Sequence, residues 1–343
     1  MSPGRWLLVL WLAGFASLPA REYALRFTDE AGRPVEGVAV RALLMPEDDP
    51  RAAGMEELRI VTKTDGFFRC GGRGAMTLLE LHGERAGFYP IDLGASARRV
   101  LPGSDSPPVW LLTMPRRIKP IPLHALKPWL AQGNGRFRRD EWIAYDLRVG
   151  SPLPPFGQGQ VEDFRFRVTA KMTGWNASRA YIEEQRRMAP AKHWDEETVR
   201  DVYGVWQAEL TLAFPHPQAG ILRSSRFWPY ARLKMPHEAP TDAYQAEYKA
   251  TYMSDGQAGE GEDELGYWLR TRVKVDAAGK IVGAHYAKIV GGLRFTQATL
   301  GFAYYFNPTP LDRNLEFDPK KNLLKPPPGA AGAEVGSYQV SEP

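Results

Sequence analysis

The chain has 343 residues, with 44 Lys and Arg against 40 Asp and Glu for a net charge of +4, and a single cysteine. One cysteine excludes an intramolecular disulfide, so stability must come from apolar cores, which a chain of this length readily supplies. The small basic excess is interleaved with acids rather than gathered into a stripe, which argues against a nucleic-acid partner.

Residues 1–20 read as an export signal: Arg5, the apolar run Trp6 to Leu12, and small residues at Gly14, Ala16 and Ala20 where a peptidase could cut. The apolar core is short for a bilayer, and a retained anchor is the alternative. No second hydrophobic segment follows, so no membrane span is expected after cleavage, and no cysteine near the cut offers a lipid anchor. A lone cysteine behind such a signal fits a bacterial periplasmic or secreted protein. Cys70, in Phe68-Arg69-Cys70-Gly71-Gly72, is expected as a buried structural thiol.

Residues 21–113 alternate short strands and turns. Tyr23, Leu25 and Phe27 share a face, Asp29 to Pro34 carries turn chemistry, and Val38, Val40, Ala42 and Leu44 alternate again. A loop from Pro46 to Gly54 precedes Leu58-Ile60-Thr62. Thr64-Asp65-Gly66 then turns into Phe67-Phe68, Met76 to Leu81 is a further strand, and Val109 to Leu112 is the last. Gly32 and Gly66 are placed where a turn needs positive φ, and Phe67 or Phe68 is expected in the core. The order Asp29...Gly32-Arg33-Pro34-Val35-Glu36-Gly37-Val38, then Thr64-Asp65-Gly66-Phe67-Phe68, then Gly87-Phe88-Tyr89-Pro90 resembles the carboxypeptidase regulatory-like family. That resemblance implies a transthyretin-like β-sandwich of seven strands, appended to exported proteins as a noncatalytic module, with no carboxypeptidase activity.

Four prolines between Met114 and Pro128 exclude a regular helix, so residues 114–129 read as a Pro-rich linker. The competing reading is a strand-like segment packed on the second domain through Ile118, Ile121 and Leu123. Residues 130–324 form a larger β-rich domain, sandwich-like, with strands at Ile143-Tyr145-Leu147, Phe164-Phe166-Val168, Val205 to Phe214, Tyr244 to Thr251, Tyr267 to Val275, Ile281 to Val290 and Leu300 to Phe306. One helix is expected at Ser178 to Met188, capped by Ser178, and a shorter one from Asp195. Ser254 to Glu264 reads as a mobile acidic loop and residues 325–343 as a disordered tail. The fold class is therefore mostly β with one or two short helices.

No common catalytic signature is present. The six histidines show neither the helical i, i+4 spacing of a zinc protease nor a cysteine partner, so no zinc site is expected. Two segments stand out. In the first, Trp142 to Phe164, a strand enters a Pro/Gly loop carrying Phe156 and returns between Asp146 and Asp163. The plain reading is a rigid loop with its carboxylates bonded to turn amides; the functional reading is one wall of a binding cleft. In the second, Tyr304 to Asp318, Asp312, Arg313, Glu316 and Asp318 fall within seven residues. They read either as a salt-bridge knot centred on Arg313 or as a Ca²⁺ or acid/base site. Phe227-Trp228-Pro229-Tyr230 is the stretch of aromatics most expected on a loop, with Trp228 and Tyr230 placed to stack on sugar. The Trp142–Phe164 and Tyr304–Asp318 segments, together with Gly266-Tyr267-Trp268-Leu269-Arg270 and Tyr286-Ala287-Lys288-Ile289-Val290-Gly291, also resemble recurring patterns in uncharacterised exported proteins of environmental bacteria, which carry no activity to transfer.

The sequence thus points to an exported, noncatalytic binding or structural protein of the bacterial envelope, with polysaccharide or an envelope protein as partner. A polysaccharide hydrolase or lyase using Asp312, Glu316 and Asp318 is the alternative. Carboxylates standing free in an open cleft favour the enzyme; carboxylates engaged by arginine and backbone amides favour the binding role.

Overall fold

The computed structural model describes residues 22–46, 55–71, 76–94, 109–188, 196–254 and 265–341. The expected export signal, the expected loop beyond Pro46, the expected helix start at Asp195 and residues 255–264 of the expected acidic loop lie outside the described residues, as does the side chain of Cys70. The chain divides into two compact units, residues 1–116 and 117–343. Both are built from strands, and the helices among the described residues are three and short. None of those helices is long and apolar enough to cross a membrane.

Among the described residues the first unit has seven strands in two sheets. One sheet holds β1 (Glu22–Thr28) between β4 (Phe67–Gly71), antiparallel, and β7 (Val109–Thr113), parallel. The other has the order β3 (Glu56–Val61), β2 (Ala39–Pro46), β5 (Met76–Glu84), β6 (Ile91–Leu93). Alternation along β1 and β2 sends Leu25, Phe27, Val40, Ala42 and Leu44 inward, where all are buried with Phe68, Leu81 and Ile91. Phe27 lies so close to β5 that a Cβ at Gly83 would meet its ring at 2.8 Å. Asp29 closes the first turn: one carboxylate oxygen accepts from the Ala31 and Arg33 amides, each at 3.0 Å, and the other pairs with the guanidiniums of Arg33 and Arg116. Burial opposes its ionisation, and these bonds outweigh burial, holding its pKa below the ordinary value. Gly66 has φ 70, and its carbonyl accepts from the Phe27 amide at 2.9 Å.

The second unit is a sandwich of antiparallel sheets. The first sheet has the order β11 (Ser151–Pro152), β10 (Ile143–Asp146), β12 (Phe164–Trp175), β13 (Gly204–Ala213), β15 (Glu247–Met253). The second has the order β14 (Gly220–Arg223), β16 (Gly266–Val275), β17 (Ile281–Phe295), β18 (Thr299–Phe306), β8 (His124–Leu126), with β9 (Trp129–Ala131) also pairing with β18. The facing sides share one core in which Tyr145, Phe164, Phe166 and Leu210 meet Leu269, Ile289, Phe302 and Tyr304. A second core covers the other face of the six-stranded sheet. There Trp268, Tyr286 and Tyr305 are roofed by Met235 and Ala239 from the loop after β14 and by Leu315, Phe317 and Val340 from the chain end.

Helix α1 (Arg179–Met188) starts where Ser178 Oγ accepts from the Tyr181 amide at 3.2 Å, the expected cap. Helix α2 (Glu196–Tyr203) follows it, and the third, α3 (Ala333–Tyr338), lies near the chain end.

Two expectations are corrected. The Pro-rich stretch is no free linker: Leu123 and Ala125 are fully buried, β8 and β9 pair with β18, and the Ile121 amide donates to Glu316 O at 2.8 Å. Prolines exclude a helix there, yet they sit beside the short strands rather than inside their ladders. The tail is not structureless either. It carries α3, its Ser337 carbonyl accepts from the Lys127 amide at 2.8 Å, and Val340 is 4% exposed. Its Pro/Gly composition hides a few apolar side chains that a distant core takes up.

Candidate functional site

The loop from Leu147 to Glu162 is held from both sides by the two carboxylates that bracket it. Asp146 Oδ1 accepts from the amides of Arg148 (2.9 Å) and Val149 (3.2 Å), and its Oδ2 from those of Gln160 (3.0 Å) and Val161 (3.1 Å). Asp163 Oδ2 accepts from the Leu147 amide at 2.8 Å. The approach is close at Gly159, where a Cβ would meet Ser151 O at 2.6 Å. From the opposite sheet, Tyr304 Oη donates to Leu147 O at 2.8 Å.

Arg272 completes this arrangement. It stands at a bulge in β16 with φ 50 and reaches across to the loop. Its Nε donates to Asp163 Oδ1, and one terminal nitrogen donates to both Asp163 Oδ2 and Asp146 Oδ1, all at 2.8 Å. Both aspartates are buried and the arginine side chain is 14% exposed. Burial alone would raise the Asp146 pKa; the amides of Gln160, Val161 and Val149, together with Arg272, outweigh it and lower it. Burial also opposes the Arg272 charge, and its bonds to Asp163 and Asp146 more than restore it.

The Arg272 guanidinium lies 5.1 Å over the Phe306 ring. His285 stacks on the same ring at 5.4 Å and faces the Asn307 carbonyl through Nδ1 at 3.1 Å, so Nδ1 carries the proton. His124 tilts against Phe306 at 6.0 Å. Burial, then the positive charges of Arg148 and Arg272, bring the His124 pKa from its ordinary 6.5 down to about 4. Burial lowers that of His285 as well. Both rings are therefore neutral near pH 7.

The first expected segment is brought together, then, as a closed knot. An ionised carboxylate offers about four acceptor sites; Asp146 accepts from four amides and Arg272, and Asp163 from one amide and two guanidinium N–H groups. The bonds that lower the Asp146 pKa hold that carboxylate in its ionised form. Phe156 lies apart from the knot. It lines a recess of about 290 Å³ with Gln132, Gly135, Phe137, Arg138 and Pro155, a volume at the small end for a ligand pocket.

The second segment does not form the expected knot. Arg313 turns away from its neighbours, donating to Ala239 O at 2.8 Å and pairing with Glu238 at 3.1 Å. Asp312 accepts from the Asn314 amide. Glu316, fully buried, accepts from the amides of Ile118 (2.9 Å) and Lys119 (2.6 Å). Asp318 accepts from the Lys320 amide and pairs with Lys321. Proximity in sequence misleads because a loop rich in Asn and Pro points successive side chains to different amides. Among the described residues no three His, Cys, Asp or Glu side chains are grouped to hold a metal ion. Trp228 and Tyr230 are half-buried in the loop that roofs the six-stranded sheet, where the Trp228 amide donates to Lys234 O at 2.8 Å.

Sequence reasoning missed Arg272, His124 and His285. Nothing local marks them, since the knot joins residues up to 126 positions apart.

No protein-family model matches the chain, and no curated protein matches it. Among solved structures it is similar to a DUF3823 family protein from Parabacteroides merdae, at 8% identity, covering 84% of this chain and 98% of that one, with a TM-score of 0.17. A likeness this slight carries no argument about fold or function.

Proposed function

We propose that this chain is an exported, noncatalytic binding or structural protein of the bacterial envelope. In this reading the first unit is a carboxypeptidase regulatory-like module and the second bears the ligand, polysaccharide or envelope protein. The amino-terminal signal pattern supports export, and the seven strands among the described residues, in sheets of three and four, support the module assignment. The observation that carries the noncatalytic reading is the engagement of the carboxylates. Asp146 and Asp163 are closed by Arg272 and backbone amides, Glu316 is buried on two amides, and Asp312 and Asp318 each accept from one amide, Asp318 also pairing with Lys321. An acid/base pair needs carboxylates open to substrate, so carboxylates bonded to arginine, lysine and amides favour the binding reading.

The test uses residues 21–343 with a panel of polysaccharides, with and without Ca²⁺ and EDTA. A thermal shift with one polymer, no new reducing ends and no effect of EDTA is the expected result. New reducing ends, or an unsaturated uronate, would restore the hydrolase or lyase. Stabilisation by Ca²⁺ alone would restore a cation site on the acidic segment.

A further inference from the structure

Strand β12 alternates Phe164, Phe166 and Val168 into the sandwich core with Arg165, Arg167, Thr169 and Lys171 on the opposite side. The outward side of the other sheet is roofed by its own core. This one keeps Arg165, Lys171, Gln207, Glu209, Lys249 and Thr251 exposed. Trp142, just before β10, flanks Arg167 across the ladder, because Ile143 pairs with Phe166. Its indole carries two guanidiniums, Arg167 at 4.8 Å and Arg165 at 5.1 Å from the ring centroid, and the residue stays 38% exposed. Arg167 has no ion-pair partner among the described residues, and its Nε is buried without a hydrogen bond. Arg165 reaches Glu162 only at 4.0 Å. Across the sheet, Arg167 pairs with Thr211 and Thr211 with Lys249, which puts a third cation roughly 10 Å away at the usual strand spacing.

We propose that this open sheet face, centred on Trp142, Arg165 and Arg167, binds a linear acidic polysaccharide through its uronate carboxylates. The proposal rests on the binding reading above and names its ligand and site. Stacking on the indole holds both guanidiniums in place, so less freedom is lost when their N–H forks take a carboxylate. The exposed part of the indole offers an apolar surface to a sugar ring. The face is flat and polar around a single aromatic, which suits an extended hydrophilic chain. It lacks the cluster of apolar anchors on which protein partners depend. Four outward cations, Arg165, Arg167, Lys171 and Lys249, the last paired with Glu247 at 3.1 Å, outnumber Glu162, Glu209 and Glu247, so the charge balance favours a polyanion.

The experiment is calorimetric titration of residues 21–343 with polygalacturonate, its methyl ester and duplex DNA, run on the parent and on W142A, R167K, the R165Q/R167Q double variant and F156A. Polygalacturonate should bind and the ester should not. Affinity should fall roughly tenfold in the double variant and in W142A, and several-fold in R167K, which keeps the charge but not the fork. It should be unchanged in F156A, whose recess lies elsewhere, and should weaken from about 0.05 to about 0.3 M NaCl. Melting curves matching the parent show that loss of affinity is not unfolding. Absence of binding, equal binding of the ester, equal binding of DNA, or indifference to the arginine variants overturns the proposal. Cleavage of polygalacturonate is read separately and overturns the noncatalytic reading, whichever way the titrations fall.

Discussion

Arg272 is the residue on which the described end of the second unit turns. It brings one guanidinium to two buried carboxylates that already hold a 16-residue span closed through backbone amides. Arg272→Ala leaves Asp146 and Asp163 buried without a counter-charge, and removing one partner of such a set costs about 3–5 kcal/mol. Urea unfolding should show that loss, and a change under about 1 kcal/mol would mean that water replaces the guanidinium at no cost. His124, facing Arg148, Arg272 and Asp146 around Phe306, sets a pH dependence. In the unfolded chain it takes up a proton near its ordinary 6.5, whereas in the fold it waits until about 4. The unfolded state therefore binds more protons in that window, and stability falls as pH drops from 6.5 to about 4. His285, also lowered, acts in the same direction. The Asp146 contribution is present above its ordinary 3.8 and is lost only at lower pH. The melting temperature should thus decline through the upper window in the parent and less steeply in His124→Gln. Parallel curves would assign the decline to other groups.

At the scale of elements, local pattern was informative wherever strands were long. The seven strands expected in the larger domain correspond to β10, β12, β13, β15, β16, β17 and β18, because period-2 alternation over many residues fits only a half-buried ladder. The missed ones, β6, β8, β9, β11 and β14, are two to four residues long, where a period scarcely registers; of the second unit's strands that short, β10 alone was found, because its alternation carries on to Leu147. Turn chemistry was legible for the same local reason: Gly66 has the positive φ that its turn requires. A Cβ there would lie 2.6 Å from Phe27 O, so Gly66→Val adds a backbone clash to the strain of a left-handed β-branched residue. We expect a loss of at least about 2 kcal/mol from the first unit. Calorimetry of the parent and variant checks it, and an unaltered melting profile would show that the turn can be rebuilt.

For the whole molecule, the decisive feature is the second core, which the larger sheet acquires on its outward face from segments distant in the chain. The carboxy-terminal stretch contributes Val340 to that core, and Tyr338 O accepts from Asn322 Nδ2 at 3.4 Å. A chain ending at Leu324 gives up this burial, and complete burial of one aliphatic side chain is worth about 1.5–3 kcal/mol. Residues 21–324 should melt several degrees below residues 21–343 in a calorimetric scan, the effect being confined to the second unit. Equal melting temperatures would mean that the tail adds nothing to stability.

What the amino-acid sequence by itself determined was the mostly β class, the division into two strand-rich parts, the Asp29 and Gly66 turns and the capped helix at Ser178. Each depends on neighbours within a few positions, through alternation, a required φ, or a side chain reaching its own backbone. The tertiary structure decided how the charged residues pair. Asp146 and Asp163 are as ordinary in sequence as Asp312 and Asp318, yet Arg272 finds the first two and Arg313 turns to Glu238. That choice belongs to sheet packing, because a buried charge is tolerable only where the fold brings its partner, and no local pattern records which strand will lie opposite.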